Sequence, residues 1–280
     1  MNLGIGGVAV VTGAAGGLGL GIARAAANRG MQVVLTDVDE GRLTDAAAHL
    51  TDQGCKAVGL VVDVTDANAM SDLADFVTAE FGRVDLVCNN AGMTLVRPVH
   101  ELTGEDWRRV VDLNLYGVVN GVTAFLPKMM DQGSGHLNAT ASVNAFKSDL
   151  FQAPYNASKA AVPAMMESVL MDLRELGSAV TASVLCPGPI ATDIMQRALG
   201  DDETTREEVH GLLNQGMHPD AAGEITISAI DEGKFWIFTH PILYDTIRVK
   251  NDNMMRDGSL PTDLEWPWEE ILTGGEAESP

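Results

Sequence analysis

The chain has 280 residues, with 39 Asp and Glu against 18 Lys and Arg, and a formal net charge of −21. This acidic balance argues against nucleic-acid and membrane-surface partners, because both attract basic residues. An apolar content of 46% is that of a folded globular chain and too high for a disordered one.

Short apolar runs rich in β-branched residues alternate with longer segments of helical periodicity. The runs are typical of strands buried on both faces of a parallel sheet, and we predict strands at 8–12, 32–36, 57–62, 84–88, 136–140, 180–185 and 235–238. Apolar residues at helical spacing predict helices at 17–29, 39–53, 66–81, 103–130 and 154–176. The alternation predicts an α/β fold, a doubly wound sheet with helices on both faces.

We find no internal repeat and no linker-like composition before about residue 250, so we predict a single domain at 1–256. Within it, 188–220 is irregular and polar in its middle, and 242–255 is compatible with a short helix. The extension 257–280 ends in an acidic tail and contains Trp266 and Trp268. We expect these tryptophans to pack on a neighbouring subunit, on the substrate loop or on the chain's own surface, because exposed tryptophans lower solubility.

The first residues carry no positive charge ahead of an apolar run, so we expect no secretory signal and a cytoplasmic location. The three cysteines are scattered, as is usual in a reducing compartment. The six histidines form no pair at metal-ligand spacing, and we predict no metal site. The apolar runs are shorter than the about 20 residues that a spanning helix needs.

A glycine-rich turn follows the first predicted strand and contains Gly13, Gly17 and Gly19, with Leu18 between them. Glycines at a strand-to-helix turn let the backbone approach a pyrophosphate, which then meets the N-terminal N–H groups of the helix. An ordinary tight turn is the alternative interpretation. The strand before it and the helix after it favour a nucleotide site.

An acidic residue, Asp37, closes the second predicted strand. A carboxylate at this position accepts hydrogen bonds from the adenosine ribose hydroxyls and repels a 2′-phosphate. Neither Arg nor Lys lies between Gly13 and Leu18, and Val38 follows the Asp. We therefore predict NAD as the cofactor rather than NADP. A solvated or helix-capping Asp is the alternative.

Two further loops follow predicted strands and face the same sheet edge. Asp63 and Val64 come after the third strand, where they are expected to contact the edge of the adenine ring. Asn90, Ala91 and Gly92 come after the fourth strand, and their small side chains let a cofactor lie against the backbone. Each of these segments alone is also compatible with an ordinary loop.

Tyr155 and Lys159 are four residues apart in a predicted helix and so share one face. A phenol, with a pKa of about 10, becomes a base near neutrality if its pKa falls by roughly three units. A nearby ammonium, helped by the positive nicotinamide ring, supplies such a shift. Ser142, just past the fifth strand, offers a hydroxyl to a substrate oxygen. Asn114 lies mid-helix, where asparagine is disfavoured, and either faces solvent or holds a buried water.

Together these pieces resemble the short-chain dehydrogenase/reductase family, in the family's order and over residues about 7 to 240. The matching pieces are Thr12-Gly13-x-x-x-Gly17-x-Gly19, Asp63, Asn89-Asn90-Ala91-Gly92, Asn114, Ser142, Tyr155-x-x-x-Lys159 and Pro187-Gly188-x-x-x-Thr192. The resemblance implies a Rossmann-like sheet of seven parallel strands. It also implies that the variable substrate loop lies at about 188–220.

The resemblance implies a catalytic tetrad. In it Tyr155 is the acid/base, Ser142 orients the substrate oxygen, and Asn114 holds a water in a proton relay. Lys159 binds the nicotinamide ribose and lowers the pKa of the phenol. Family members are commonly tetramers or dimers, built through the helices predicted at 103–130 and 154–176.

The resemblance places Thr192 against the carboxamide of the nicotinamide, with Ile190 beside it. The expected cofactor-binding set is Gly13, Gly17, Leu18, Gly19, Asp37, Val38, Asp63, Val64, Asn90, Ala91, Gly92, Tyr155, Lys159, Pro187, Gly188, Ile190 and Thr192. The implied activity is reversible hydride transfer between NAD(H) and a secondary alcohol or ketone. A non-redox enzyme on the same scaffold, such as a dehydratase or epimerase, and an NAD-binding regulatory protein are the alternatives.

The substrate pocket is expected to be largely apolar, which favours a bulky hydrophobic or aromatic substrate. Its expected residues are Thr94, Leu95, Asn144, Phe151, Gln152, Met195 and Leu199, with Leu212, Leu213 and Met217 as a lid. Leucines and methionines at helical spacing are equally typical of a core, and that interpretation remains open.

Overall fold

The computed structural model describes residues 3–194, 216–241 and 243–258. Within these ranges seven parallel strands form one sheet in the order β3-β2-β1-β4-β5-β6-β7. The strands are β1 (Val8–Thr12), β2 (Gln32–Asp37), β3 (Ala57–Val61), β4 (Leu86–Asn89), β5 (His136–Thr140), β6 (Thr181–Cys186) and β7 (Trp236–Phe238). The predicted Rossmann-like, doubly wound sheet is confirmed.

The helices cover both faces of the sheet. They are α1 (Gly17–Asn28), α2 (Glu40–Asp52), α3 (Ala67–Phe81), α4 (Gly104–Val111), α5 (Gly117–Gln132), α6 (Ala153–Glu175), α7 (Pro219–Asp231) and α8 (Leu243–Asp257). The helix predicted at 103–130 is divided by a π-helical turn, Asp112–Tyr116. Helix α7 was not predicted, although His218 caps it and Pro219 occupies its first turn, both of which mark a helix start.

Strand β1 lies at the point where the strand order reverses. It pairs with β2 on one side and with β4 on the other. In an open α/β sheet, ligands bind outside the carboxyl ends of the strands at such a switch point. The loops that follow β1, β2 and β4 therefore meet at one edge of the sheet.

The sheet is buried on both faces because successive strand residues point to opposite sides. Val8 and Val10 pack into a core with residues of α3, α5 and α6, among them Phe125. Ala9 and Val11 pack into the other core with residues of α1, α2 and α7. This two-sided burial explains why the strands read as nearly continuous apolar runs.

The helical stretch Gly104–Gln132 is long and apolar enough to cross a membrane by length and composition. The expectation that apolar runs are too short did not allow for this stretch. Phe125 and Met129, however, are fully buried in the core against the sheet. Apolar residues of this stretch therefore form part of the core beside the sheet.

Candidate active site

A cleft of about 580 Å³ lies at the carboxyl ends of the strands, beside the switch point. Every residue of the expected cofactor-binding set lines this cleft. Of the expected tetrad, Ser142, Tyr155 and Lys159 line it as well, while Asn114 lies behind its wall. The fold therefore brings the nucleotide motifs and the chemical groups into one space.

The glycine turn leaves no room for side chains. Gly13 has a φ of 64°, a left-handed conformation that favours glycine. A Cβ built on Gly13 would lie 2.8 Å from the Cα of Ala91, and one on Gly19 would lie 2.2 Å from the carbonyl oxygen of Gly13. No side chain caps the N-terminus of α1 at Gly16. The close turn and the uncapped helix start fit a pyrophosphate bound by backbone N–H groups.

Hydrogen bonds tie the loops after β1, β4 and β5 together beneath the cleft. The Oγ1 of Thr12 accepts from the backbone N–H groups of Asn90 and Ala91, at 2.9 and 3.0 Å. The side-chain amide of Asn90 donates to the Thr12 carbonyl at 3.0 Å and accepts from Thr140 Oγ1 at 3.2 Å. The Asn-Asn-Ala-Gly segment is thus a rigid floor, and Thr140 is a part of it that sequence analysis missed.

The carboxylate of Asp37 is held at the end of the cleft where the sequence predicts the adenosine. It accepts hydrogen bonds from the backbone N–H groups of Ala15, at 3.1 Å, and of Val38, at 2.8 Å. These bonds link the end of β2 to the glycine turn. Asp37 is therefore positioned as an acceptor beside the site where the motif places a ribose.

A cation also lies at this end of the cleft. Arg42, in the first turn of α2, lines the cleft and pairs with Asp193 at 3.1 Å. Arg42 lies neither in the glycine turn nor directly after Asp37, where the sequence predicts a 2′-phosphate to be met. The start of α2 brings this residue back over the turn.

Asn114 is placed by the π-helical turn between α4 and α5, a distortion that is frequent at functional sites. It is fully buried. Its Oδ1 accepts from the N–H of Met93 at 2.8 Å, and its Nδ2 donates to the Met93 carbonyl at 2.9 Å and to Ser158 Oγ at 3.0 Å. Asn114 thus does not face solvent, and its hydrogen bonds fix the loop after β4 against α6.

Tyr155 and Lys159 lie on one face of α6, as predicted from their spacing. The Nζ of Lys159 lies 5.9 Å from the centre of the Tyr155 ring and donates to the Thr140 carbonyl at 2.7 Å. Burial lowers the pKa of Lys159 to about 8. The ammonium is therefore held within the protein, close to the phenol and at the end of β5.

The protein's own groups hold the pKa of Tyr155 above its ordinary value. Burial is the main cause, the hydrogen bond with Ser142 opposes it, and the charge of Asp149 adds to it. The sequence predicts that Lys159 lowers this pKa, but the net direction at Tyr155 is upward because of burial. A basic phenol near neutral pH therefore depends on further positive charge at the site, which the nicotinamide ring of an oxidised cofactor carries.

Ser142 is held by an amide network that sequence analysis missed. Its Oγ accepts from the backbone N–H of Asn144 at 3.1 Å. The Nδ2 of Asn144 donates to Asp149 Oδ2 at 3.1 Å and to Asn156 Oδ1 at 3.0 Å. Asn156, the residue after Tyr155, donates to the Asp149 carbonyl at 2.8 Å. The loop that carries Ser142 is thereby fastened to the helix that carries Tyr155.

The expected substrate residues divide into three groups. Thr94, Asn144 and Gln152 line the cleft. Leu95 is buried outside its lining, because the side chain of its neighbour Thr94 takes the cleft side and that of Leu95 packs within the protein. Phe151 is also outside the lining and half exposed, in a left-handed conformation with φ 59°.

The remaining expected positions, Met195, Leu199, Leu212, Leu213, Trp266 and Trp268, lie outside the described residues. Met217 is described, and its backbone pairs with Ile190 in an isolated β-bridge at the end of the substrate loop.

The wall near Tyr155 also carries polar groups beside the apolar surface that was expected. Thr94 donates a hydrogen bond to Gln152 at 3.0 Å, and Asn144 and Asp149 lie on the same wall. Apolar residues such as Met93, Val143 and Ile190 supply the rest of the lining. The cleft therefore offers both apolar surface and hydrogen-bonding groups to a substrate.

Residues 7–203 match the family described as short chain dehydrogenase. The chain is 35% identical over 262 residues, 90% of each protein, to the 1-deoxy-11-beta-hydroxypentalenate dehydrogenase of Streptomyces exfoliatus. It is also similar to the structure of a short chain dehydrogenase/reductase from Burkholderia phymatum in complex with NAD, at a TM-score of 0.88 and 31% identity, covering 95% of this chain and 100% of the other.

A metagenomic short-chain oxidoreductase in complex with NADP is similar at a TM-score of 0.69 and 26% identity, covering 85% of this chain and 97% of the other. The chain therefore belongs to the short-chain dehydrogenase/reductase family. It is an oxidoreductase with a Rossmann-like fold that uses a nucleotide cofactor.

Proposed function

We propose that this oxidoreductase transfers a hydride reversibly between NAD(H) and a secondary alcohol or ketone. The observation that carries the proposal is the shared cleft, in which Ser142, Tyr155 and Lys159 face the same space as the glycine turn and Asp37. A proton acceptor, an oxygen-binding hydroxyl and a nucleotide site are the parts that such a reaction needs.

The protein residues manage the proton and the substrate oxygen. In alcohol oxidation the Ser142 hydroxyl holds the substrate oxygen by a hydrogen bond, and Tyr155 takes the proton from that oxygen. The carbonyl forms as the carbon–hydrogen bond breaks with its electron pair. When bound, NAD supplies the acceptor for this hydride. The buried Lys159 ammonium, close to the phenol, favours the deprotonated form of Tyr155.

The proposed preference for NAD rests on Asp37. Its carboxylate is fixed at the adenosine end of the cleft, where it accepts from ribose hydroxyls and repels a 2′-phosphate. The complex of the Burkholderia phymatum relative with NAD is consistent with this choice. Another similar protein forms a complex with NADP, so the ratio of kcat/KM for NAD and NADP tests the proposed preference.

The proposed substrate is a bulky secondary alcohol that has an apolar body and a second hydrogen-bonding group. The apolar lining at Met93, Val143 and Ile190 favours the body, while Thr94 and Gln152 favour the polar group. The name of the Streptomyces exfoliatus relative, a dehydrogenase of 1-deoxy-11-beta-hydroxypentalenate, supports a substrate of this size.

A panel of secondary alcohols tests the proposal. Wild-type protein is mixed with each alcohol and either NAD or NADP, and the absorbance of the reduced nicotinamide is followed. We expect reduction with NAD at a higher kcat/KM than with NADP. Tyr155→Phe should lower kcat by about a hundredfold or more, because it removes the acid/base, while the Kd for NAD stays within about twofold.

Each contrary outcome points to a different function. An alcohol consumed without net reduction of the cofactor would indicate a dehydratase or epimerase. Binding of NAD without turnover of any alcohol in the panel, in wild type and Tyr155→Phe alike, would indicate a regulatory nucleotide-binding protein. A higher kcat/KM with NADP would overturn the cofactor preference alone.

A further inference from the structure

Two charged side chains from separate parts of the fold meet at the adenosine end of the cleft. Arg42 comes from the first turn of α2, and Asp193 comes from the loop after β6, next to Thr192. Arg42 Nη2 donates to Asp193 Oδ2 at 3.1 Å, and both residues line the cleft. Their side chains are 42% and 48% exposed, so a ligand entering the cleft can reach both.

The guanidinium of Arg42 lies directly over the glycine turn. A Cβ built on Gly16 would be 2.6 Å from Arg42 Nη2. Asp37 binds the neighbouring residue of the same turn, the N–H of Ala15. The cation therefore lies beside the acid that faces the ribose. In dinucleotide-binding folds an acid here binds the 2′-hydroxyl, and an Arg nearby accommodates a 2′-phosphate.

Arg42 and Lys159 are the two basic residues that the described part of the chain contributes to the cleft lining. Lys159 is engaged at the catalytic end, where it donates to the Thr140 carbonyl. Arg42 is thus the cation positioned to bind a 2′-phosphate. Its charge is offset by Asp193, because a guanidinium that is paired with a carboxylate offers less to a second anion.

We propose that Asp193 is a specificity-determining residue, which disfavours NADP by occupying Arg42. A 2′-phosphate has to displace Asp193 from the guanidinium and then lie close to two carboxylates, Asp37 and Asp193. The 2′-hydroxyl of NAD meets no such competition. This inference rests on the proposed function, because it explains the proposed preference for NAD.

Binding of two fragments without a nicotinamide tests the inference. The Kd values of 2′,5′-ADP and 5′-AMP are measured by calorimetry for wild type, Asp193→Asn, Arg42→Gln and the double variant. Exposed ion pairs shift equilibria by up to about fivefold, so Asp193→Asn should bind 2′,5′-ADP about fivefold more tightly. Its Kd for 5′-AMP should stay within about twofold. The gain should disappear in the double variant and shrink at high salt.

Asp220→Asn is the matched control. Asp220 pairs with Arg24 at 3.0 Å, is 45% exposed, and lies outside the cleft lining. It should leave both Kd values unchanged. An unchanged Kd of 2′,5′-ADP in Asp193→Asn, or a gain that persists without Arg42, would overturn the inference.

Failure of the inference about Asp193 can be distinguished from failure of the proposed NAD-dependent activity. Preferential turnover of NADP by wild type would contradict the NAD proposal, yet it would leave the fragment measurements interpretable. These measurements report the coupling of Arg42 to Asp193 and require no catalysis.

Discussion

At the scale of single residues, the orientation of Ser142 depends on the amide of Asn144. The Asn144 side chain faces two hydrogen-bond acceptors, the Asp149 carboxylate and the Asn156 amide oxygen. Its NH₂ group must therefore point towards them, because only that end of the amide donates. The Asn144 oxygen therefore turns towards Ser142, 3.5 Å from its Oγ. Asn144 is thus a positioning residue for Ser142, the group proposed to hold the substrate oxygen.

Asn144→Asp should separate positioning from cofactor binding. The new carboxylate would face the carboxylate of Asp149 and the oxygen of Asn156, none of which can donate. We expect Ser142 to lose its orientation and kcat to fall by about tenfold to a hundredfold, because small misplacements of catalytic groups are costly. The Kd for NAD should stay within about twofold. Steady-state kinetics and cofactor titration check this, and a wild-type kcat would contradict it.

Residues near the site show what sequence analysis can and cannot reach. Tyr155 and Lys159 were placed together because helical spacing alone puts positions four apart on one face. Asp37 and Ser142 were placed at the cleft because the first ends a strand and the second follows one. Arg42 was missed because its partner is distant in sequence and depends on how the loop after β6 packs.

At the scale of elements, helices α1 and α7 pack backbone against backbone. A Cβ on Gly21 would lie 2.2 Å from the Pro219 carbonyl oxygen, and one on Gly223 would lie 2.2 Å from the Gly21 carbonyl oxygen. Helix α7 thus depends on glycines for its place. The spacing of apolar residues did not predict α7. The reason for the glycines, which is close packing of two helices, is visible only in the structure.

Gly21→Ala should destabilise the protein. An alanine stabilises a helix by about 1 kcal/mol relative to glycine, but a forced separation of packed elements costs about 1–3 kcal/mol. Since the contact here is with backbone atoms, which cannot move aside easily, we expect the clash to outweigh the gain, with a net loss of up to about 2 kcal/mol in urea unfolding. Gly104→Ala, where nothing lies within 4 Å, is the control and should not destabilise. Equal unfolding midpoints for the two variants would contradict this.

Strand β5 carries a buried histidine that makes stability depend on pH. His136 lies between Thr181 Oγ1 at 2.8 Å and Ser183 Oγ at 2.7 Å, and burial lowers its pKa to about 3. The unfolded chain, with an ordinary histidine pKa of about 6.5, binds a proton that the folded chain does not. The free energy of unfolding should therefore fall as the pH decreases from about 6.5 towards 3.

His136→Gln should make this pH dependence shallower, because it removes the titrating group. Urea unfolding of wild type and variant at several pH values between 7 and 4 measures the two slopes. His100, whose side chain is 78% exposed, provides the control His100→Gln, which should keep the wild-type slope. The same slope in wild type and His136→Gln would rule out His136 as the source.

At the scale of the whole molecule, the charge of −21 coexists with a site for an anionic cofactor. The glycine turn and the uncapped start of α1 offer backbone N–H groups to such an anion, so the proposed site does not need a basic surface. The fold and the family were predictable because strand periodicity and motif order extend over most of the chain. The substrate was not, because residues such as Thr94 and Gln152 come to the cleft from segments far apart in sequence, which spacing does not predict.

The predicted homo-oligomer can be tested by substituting exposed apolar residues on the helices that are expected to form the subunit interface. Met171 on α6, Leu176 just after it and Tyr116 before α5 are large apolar residues that are more than half exposed in the single chain. We expect light scattering to give the mass of a dimer or tetramer, and Met171→Glu with Leu176→Glu to reduce it. Met255→Glu on α8, at a still more exposed position, is the control. A monomeric wild type, or an unchanged mass in the double variant, would contradict the prediction.

Isotope transfer tests the central claim, hydride transfer from a secondary alcohol to the nicotinamide, most directly. The alcohol that gives the highest rate in the panel is deuterated at its carbinol carbon, and the reduced cofactor is analysed by mass spectrometry. The proposed reaction predicts one deuterium per reduced cofactor in wild type and almost no reduced cofactor with Tyr155→Phe. Reduced cofactor without deuterium, or equal amounts of it from both proteins, would contradict the account.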